Sequence, residues 1–171
     1  MNSEMPGKDE VLELLKESEI PYSCEEPDSV LNMAESKVLT LSLAGARCKN
    51  LLLQNKKGHY FLIVTTAAKS LDLAMVSEAL GSRRLSFASA YKLFELLGIR
   101  TGSLSPLALV NDENKRVRLV IDAELANEET FLIHPLENNA SVLLSRSSMD
   151  RFLCRIEHPA SWLPLAARMA D

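Results

Sequence analysis

Residues 100–122, RTGSLSPLALVNDENKRVRLVID, set a glycine four places before a proline, just ahead of two apolar runs. The runs at 107–110 and 117–121 are short, leucine-rich or β-branched, and divided by a polar turn, which predicts two strands. Upstream, residues 88–97 carry apolar side chains at helical spacing and stop at Gly98, so Gly102-Ser103-Leu104-Ser105-Pro106 joins a helix to strands. Glycine admits positive φ or close approach of another molecule, whereas proline fixes φ and removes a donor. The segment is therefore either a plain connection or a stiffened stretch of backbone offered to a ligand.

Working outward, residues 71–80 repeat the helical period and stop at Gly81. Residues 51–54 and 60–65 flank Asn55-Lys56-Lys57-Gly58-His59, whose turn chemistry predicts a hairpin. Further strands are expected at 38–43, 130–133 and 141–144, and a last helix at 146–154. Near the amino end, Asp9 is expected to cap a helix with the stripe Val11, Leu12, Leu14 and Leu15, ending near Ile20-Pro21. Helices and strands alternate irregularly, without βαβ repetition. The expectation is an α+β fold: one domain with a mixed, largely antiparallel sheet flanked by helices. Residues 1–7 read as a flexible tail, 8–156 as the domain and 157–171 as its carboxy-terminal extension.

A chain of 171 residues with 47% hydrophobic and 25% charged side chains is large and apolar enough to bury a core unaided. Its longest apolar runs, such as residues 60–64, fall far short of the ~20 residues that cross a bilayer, so no membrane partner is expected. Three scattered cysteines, Cys24, Cys48 and Cys154, signal neither a disulfide framework nor a zinc site and fit a reducing cytoplasm. Cys48 beside Lys49 is either an activated thiol or plain core. His59, His134 and His158 show no metal-binding spacing, and no phosphate-cradling glycine motif occurs, so neither metal nor cofactor is expected. GSLSP is not the GxSxG nucleophile elbow, and nothing around it suggests a hydrolase triad.

Three features remain. Lys49 opens the apolar strand Cys48-Lys49-Asn50-Leu51-Leu52-Leu53; it is either a solvated strand-end cation or one directed into a cleft. The second is the glycine-proline segment. The third is His134-Pro135-Leu136, where a histidine ends an apolar strand; it is either structural or a group whose neutral ring orients an amine or water.

In this order the features resemble the aminoacyl-tRNA editing domains of the YbaK and prolyl-tRNA synthetase insertion-domain family, over roughly residues 20–156. The resemblance is carried by residues 48–53, Glu78-Ala79-Leu80-Gly81, Arg84-Leu85-Ser86-Phe87-Ala88-Ser89, residues 102–109 with Asn111-Asp112, and His134-Pro135-Leu136. It points in particular to the free-standing branch that deacylates alanyl-tRNA for proline. The resemblance implies that Lys49 holds the 3′ end of the tRNA, that Gly102 and the loop to Pro106 position the ester or attacking water, and that His134 helps place the aminoacyl group. It further implies substrate-binding roles for Asn50, Ser103, Leu104, Ser105, Pro106, Leu136 and Asn139. In this family a hydroxyl of the terminal ribose is thought to assist hydrolysis in place of a protein nucleophile.

The chain departs from the family where relatives usually read Asn-Thr-Ala-Thr, having Asn139 for the first threonine and Ser141 for the second. It also has Cys24-Glu25-Glu26-Pro27-Asp28 where a His-Pro pair is common, and residues 157–171, including Trp162, match nothing in the family. These changes bear on pocket shape, and so on amino-acid choice.

The implied activity is physically reasonable. A synthetase pocket for proline cannot strongly reject alanine, because losing a few methylenes costs only about 1–3 kcal/mol. A second, smaller sieve is needed, and an activated ester asks its catalyst mainly for orientation and charge stabilisation. On this view GSLSP is exposed backbone aimed at substrate. The net charge of −4 excludes a broad nucleic-acid-coating surface but not a local basic rim. Basic residues gather in the first half, among them Arg47, Lys49, Lys57, Lys69, Arg83 and Arg84, and acidic ones such as Glu124, Glu128 and Glu129 in the second. The expected partner is a tRNA acceptor end carrying a small amino acid, with prolyl-tRNA synthetase as a possible second. The alternatives are a deacylase for cysteinyl or other small esters, or a non-catalytic tRNA- or synthetase-binding module.

Overall fold

The computed structural model describes residues 6–25, 46–137 and 140–168. The expected strand at 38–43, residues 1–5 of the expected tail, and Asn139 lie outside the described residues.

A hairpin forms the centre. Strands β2 (Ala46–Gln54) and β3 (Tyr60–Thr66) pair antiparallel from Cys48↔Thr66 to Gln54↔Tyr60. Their turn is organised by Asn55, whose Oδ1 accepts from the backbone amides of Lys57 and His59, with Gly58 at φ +83. Around the hairpin run β1 (Ser23–Glu25), β4 (Ser86–Phe87), β5 (Val117–Asp122), β6 (Thr130–Ile133), β7 (Ser141–Ser145) and β8 (Ala160–Leu163), in the order β1-β7-β6-β2-β3-β5-β8 with β4 against β2. The sheet is mixed, as expected: β1–β7, β2–β3, β2–β4 and β6–β7 are antiparallel, and β2–β6, β3–β5 and β5–β8 are parallel.

Strand alternation sorts the side chains onto two faces. Leu52, Tyr60, Leu62, Val64, Leu119 and Phe131 enter the main core, covered by helices α1 (Lys8–Glu17), α3 (Ala90–Leu97) and α4 (Arg146–Arg155). Leu53, Phe61, Ile63 and Val120 enter a smaller core under α2 (Leu73–Ala79).

Capping sets the helix boundaries. Asp72 accepts from the amides of Ala74 and Met75, and Ser89 from that of Lys92, so α2 and α3 begin two residues later than apolar periodicity alone predicts. Gly98 closes α3 at φ +67. Asp9 is not a cap: Gly7 takes that place, its amide donating to the Glu10 carboxylate at 2.8 Å. Pro6, expected within the mobile tail, has its carbonyl bonded by Asn111 Nδ2 at 3.2 Å.

The expected strand at 107–110 is instead a 3-10 helix, Pro106–Asn111. Ser105 caps it by accepting from the Leu107 amide at 3.2 Å, and Pro106 at its first turn supplies the fixed φ a helix start favours. Leu107, Ala108 and Leu109 are all buried, so their hydropathy carries no period to tell strand from helix. Within the expected extension, residues 160–167 also contribute to the sheet. β8 extends it beside β5, Trp162 packs against the main core beneath the Arg146 guanidinium, and Leu71 and Ala167 form an isolated bridge.

Candidate active site

The sheet forks along one edge of β2. β6 pairs with β2 only at Ala46↔Phe131 and Arg47↔Leu132, and β4 joins the same edge only at Leu53↔Phe87 and Gln54↔Ser86. Between them, Cys48 to Leu52 face β3 on one side and no strand among the described residues on the other. Lys49 and Asn50 sit in this opening. Two residues beyond the last β2–β6 pair stand Lys49 on β2 and His134 just past the end of β6.

His134 is fixed from two sides. Its carbonyl accepts a 2.5 Å hydrogen bond from the Ser105 hydroxyl, and its Nδ1 lies 3.1 Å from the Ala140 carbonyl. A carbonyl only accepts, so Nδ1 is the donor in this contact, and the tautomer that carries its single proton there presents Nε2 as an acceptor. The chain then turns through Leu136, which adopts φ +69. His134 and the glycine-proline segment are thus directly joined.

The segment itself differs from the expected exposed backbone. Ser103, Leu104, Ser105 and Pro106 are buried, and Gly102, at φ +93, is the exposed member. The cause is Ser105, whose hydroxyl bonds both to His134 and to the start of the 3-10 helix and so draws the loop inward. Leu104 and Leu136 lie within the main core.

Lys49 is half-buried and lines a cavity of about 600 Å³ with Leu51, Ser70, Leu71, Asp72, Leu73, Phe87 and Arg168. Neither His134 nor the glycine-proline segment contributes to that lining. Asn50, one residue on, belongs to the opposite, main-core face, and its buried Oδ1 has no hydrogen-bond partner among the described residues. An unsatisfied buried acceptor costs about 1–3 kcal/mol, which a donor on a ligand would offset. The two neighbours therefore reach different sides of the opened sheet.

Sequence reasoning missed Phe87, Asp72 and Arg168 in the Lys49 cavity. Phe87 is exposed yet apolar, a signal readable only once its neighbours are known. Arg168 arrives through backbone pairing: its amide donates to the Ser70 carbonyl at 2.7 Å, and the Asp72 amide to that of Ala166 at 2.9 Å.

Beneath Lys49 the same strand ends are tied polar to polar. Thr65, its cross-strand partner, donates to Asp122 at 2.6 Å, and Lys69 Nζ reaches Asp122 at 2.8 Å, the Leu165 carbonyl at 2.9 Å, and also Glu124. Burial pushes the Asp122 carboxyl up, but the bonds from Lys69 and Thr65 and from the Glu124 amide outweigh it and hold it below its ordinary value. Burial, with some help from Glu128, pushes the Cys48 thiol up to about 11, so it stays protonated at neutral pH and the reading as an activated nucleophile falls away. Among the described residues no group of three or more His, Cys, Asp or Glu side chains is gathered for a metal ion.

A forked mixed sheet carrying a half-buried lysine on its open strand defines an α+β domain whose fold recurs among solved structures. The crystal structure of a candidate trans-editing enzyme for prolyl tRNA synthetase superposes with a TM-score of 0.69 at 17% identity, covering 97% of this chain and 100% of that one. The aminoacyl-tRNA editing domain family matches residues 30–152, and the chain belongs to that family. Similar proteins include the prolyl-tRNA editing protein ProX of Acetoanaerobium sticklandii, 31% identical over 88% of this chain and 92% of that protein. Another is the prolyl-tRNA synthetase associated domain-containing protein 1 of Danio rerio, 33% identical over 87% and 82%.

Proposed function

We propose that this protein is a trans-editing aminoacyl-tRNA deacylase that hydrolyses the ester of alanine misattached to the tRNA for proline. The carrying observation is the fork: Lys49 and His134, to which the resemblance assigns the site roles, stand near neighbouring strand ends where no strand among the described residues covers β2, inside a chain matched to editing domains over residues 30–152. The relatives named as prolyl-tRNA editing proteins support tRNA as the substrate. Prolyl-tRNA synthetase as a second partner is part of the same proposal.

In this mechanism Lys49 binds a phosphate of the 3′ end, the strongest anion near the reacting ester. Asn50 Oδ1 accepts from the α-ammonium of the amino acid on the other face, and the opened edge of β2 allows one ligand to be held from both. His134, with Nε2 free to accept, orients the attacking water or the vicinal ribose hydroxyl. The exposed Gly102 end of the loop approaches the acyl group, its bare backbone serving the oxyanion that develops as water adds to the carbonyl carbon. The carbon–oxygen bond to the ribose then breaks, releasing free alanine and a tRNA with its terminal hydroxyl restored. Leu104, Ser105, Pro106 and Leu136 hold this frame from beneath, and Ser103 and Asn139 complete the expected binding set.

The test is release of amino acid from alanyl-, cysteinyl- and prolyl-tRNA(Pro) under one condition. Alanine release at least tenfold faster than the other two is expected for a second sieve. Equal rates would remove the alanine preference, and no release from any ester would overturn the enzymatic reading.

A further inference from the structure

The opposite end of the central hairpin holds a second cavity of about 450 Å³, whose lining includes Lys57, Arg83, Lys115, Arg116 and Arg118 together with His59. No carboxylate among the described residues lines it, in a chain whose net charge is −4. The five cations come from three separate segments: the β2–β3 turn, the loop between α2 and β4, and the start of β5. All five are exposed, and none forms an ion pair with a carboxylate among the described residues, in contrast to Lys69 and Lys92. Glu95, which feels Arg116, is already bonded to Lys92 at 2.8 Å.

The wall is built and does not depend on mobile side chains alone. Asn55, buried at its base, fixes the hairpin turn through Oδ1 and donates from Nδ2 to Ser82 Oγ at 3.0 Å, tying the turn to the loop that carries Arg83. Arg116 lies over the Tyr60 ring at 5.5 Å, and Lys115 Nζ is bonded to the Ile156 carbonyl at 2.9 Å. Like charges collected on a rigid frame repel one another, and a bound polyanion relieves that repulsion.

We propose that this cleft binds the phosphodiester backbone of the duplex part of the tRNA acceptor arm, away from the ester. The inference rests on the function proposed above. From Lys49 to Asn55 is six residues of extended strand, about 20 Å. One ligand can occupy both places only if it is an extended polyanion, which favours RNA over a small phosphate compound. The segment from Arg83, in this cleft, to Phe87, in the Lys49 cavity, links the two along the edge of β2. The single-stranded 3′ end thus lies at the fork and the duplex phosphates at the hairpin turn. Sequence reading placed Lys57 and Arg83 on a basic rim but missed Lys115, Arg116 and Arg118, which lie in the half of the chain where acidic residues drew attention.

The test compares the wild type with the double variant Arg116→Glu/Arg118→Glu on two substrates: alanyl-tRNA(Pro), and alanine esterified to a short single-stranded RNA with the same 3′ end. On the tRNA, KM should rise about tenfold with kcat unchanged, and the log–log salt dependence should flatten by roughly two units. On the short substrate both proteins should act alike, which also shows that the variant is folded. An unchanged KM on tRNA, or an equal loss on both substrates, overturns the proposal. Inorganic phosphate is added to separate sources: inhibition beyond its ionic strength that disappears in the variant, with tRNA kinetics unaltered, would mean a small-anion site and also overturn it. Affinity for uncharged tRNA is measured in parallel. If the wild type releases no alanine, the enzymatic reading fails, while a tenfold weaker tRNA affinity of the variant still upholds the cleft and an equal affinity overturns it.

Discussion

The two ends of β2 solve opposite problems. At the Lys49 end the side chains are half-buried, no strand among the described residues covers the outer edge of the sheet, and several polar groups are committed: Ser105 to His134, Thr65 and Lys69 to Asp122. At the Asn55 end the sheet is closed by a turn, and the cations are exposed and without carboxylate partners among the described residues. A fixed, partly desolvated setting strengthens each electrostatic contact and costs little reorganisation, which is what discrimination at a reacting ester requires. Exposed charges give salt-sensitive attraction and fast encounter, with little selectivity. On the proposed reading, selectivity and attraction fall to different ends of one strand.

Lys49→Ala should break this division most severely, lowering kcat/KM for alanyl-tRNA by about 10²–10³-fold while leaving the thermal transition in place. Single-turnover kinetics beside a melting curve check both halves. Next comes Asp122→Asn, which breaks a buried charge cluster and should cost about 3 kcal/mol in urea unfolding at pH 7. Its pH dependence has a definite sign. The native carboxyls of Asp122 and Asp112 are held below their ordinary values, against the upward push of burial, by Lys69 and Thr65 in one case and by His158 and the Val117 amide in the other. Their stabilisation is present above the unfolded-chain value of about 3.9 and is lost as pH falls through the lower native values. Between pH 7 and 3 the wild type should therefore lose more of its urea midpoint than Asp122→Asn does.

Ser105→Ala should cost about 2 kcal/mol, since the Leu107 amide and the His134 carbonyl both lose a buried partner. A fall in kcat larger than the rise in KM would show that the hydroxyl positions His134. The mildest change is Lys57→Ala at the far end: stability within about 0.5 kcal/mol of wild type, and a tRNA salt slope smaller by about one unit. A large loss of kcat from Lys57→Ala would erase the contrast between the ends.

What could be read from the sequence follows from how local each signal is. The hairpin at 55–59 and the glycine-ended helices depend on turn and terminus chemistry contained in a few residues, and the structure has them. The 3-10 helix at Pro106 was misread because full burial erases periodicity, although Ser105-Pro106 carries a cap followed by a first-turn proline. Lys49 and His134 stood out as a charge and an imidazole at the ends of apolar runs. The fork between them depends on where two distant strands stop pairing, for which no local residue pattern exists. The cationic cleft was hidden for the same reason: Lys57, Arg83 and Arg118 meet only after three segments fold together.

The short pairing of Ser70–Asp72 with Ala166–Arg168 brings Arg168 into the wall of the Lys49 chamber. Clipping the polypeptide ahead of Ala166 would strip away both that wall and its guanidinium while leaving every family motif intact. A truncated preparation that folds yet turns over poorly would point to this missing side of the chamber before any fault in the chemistry.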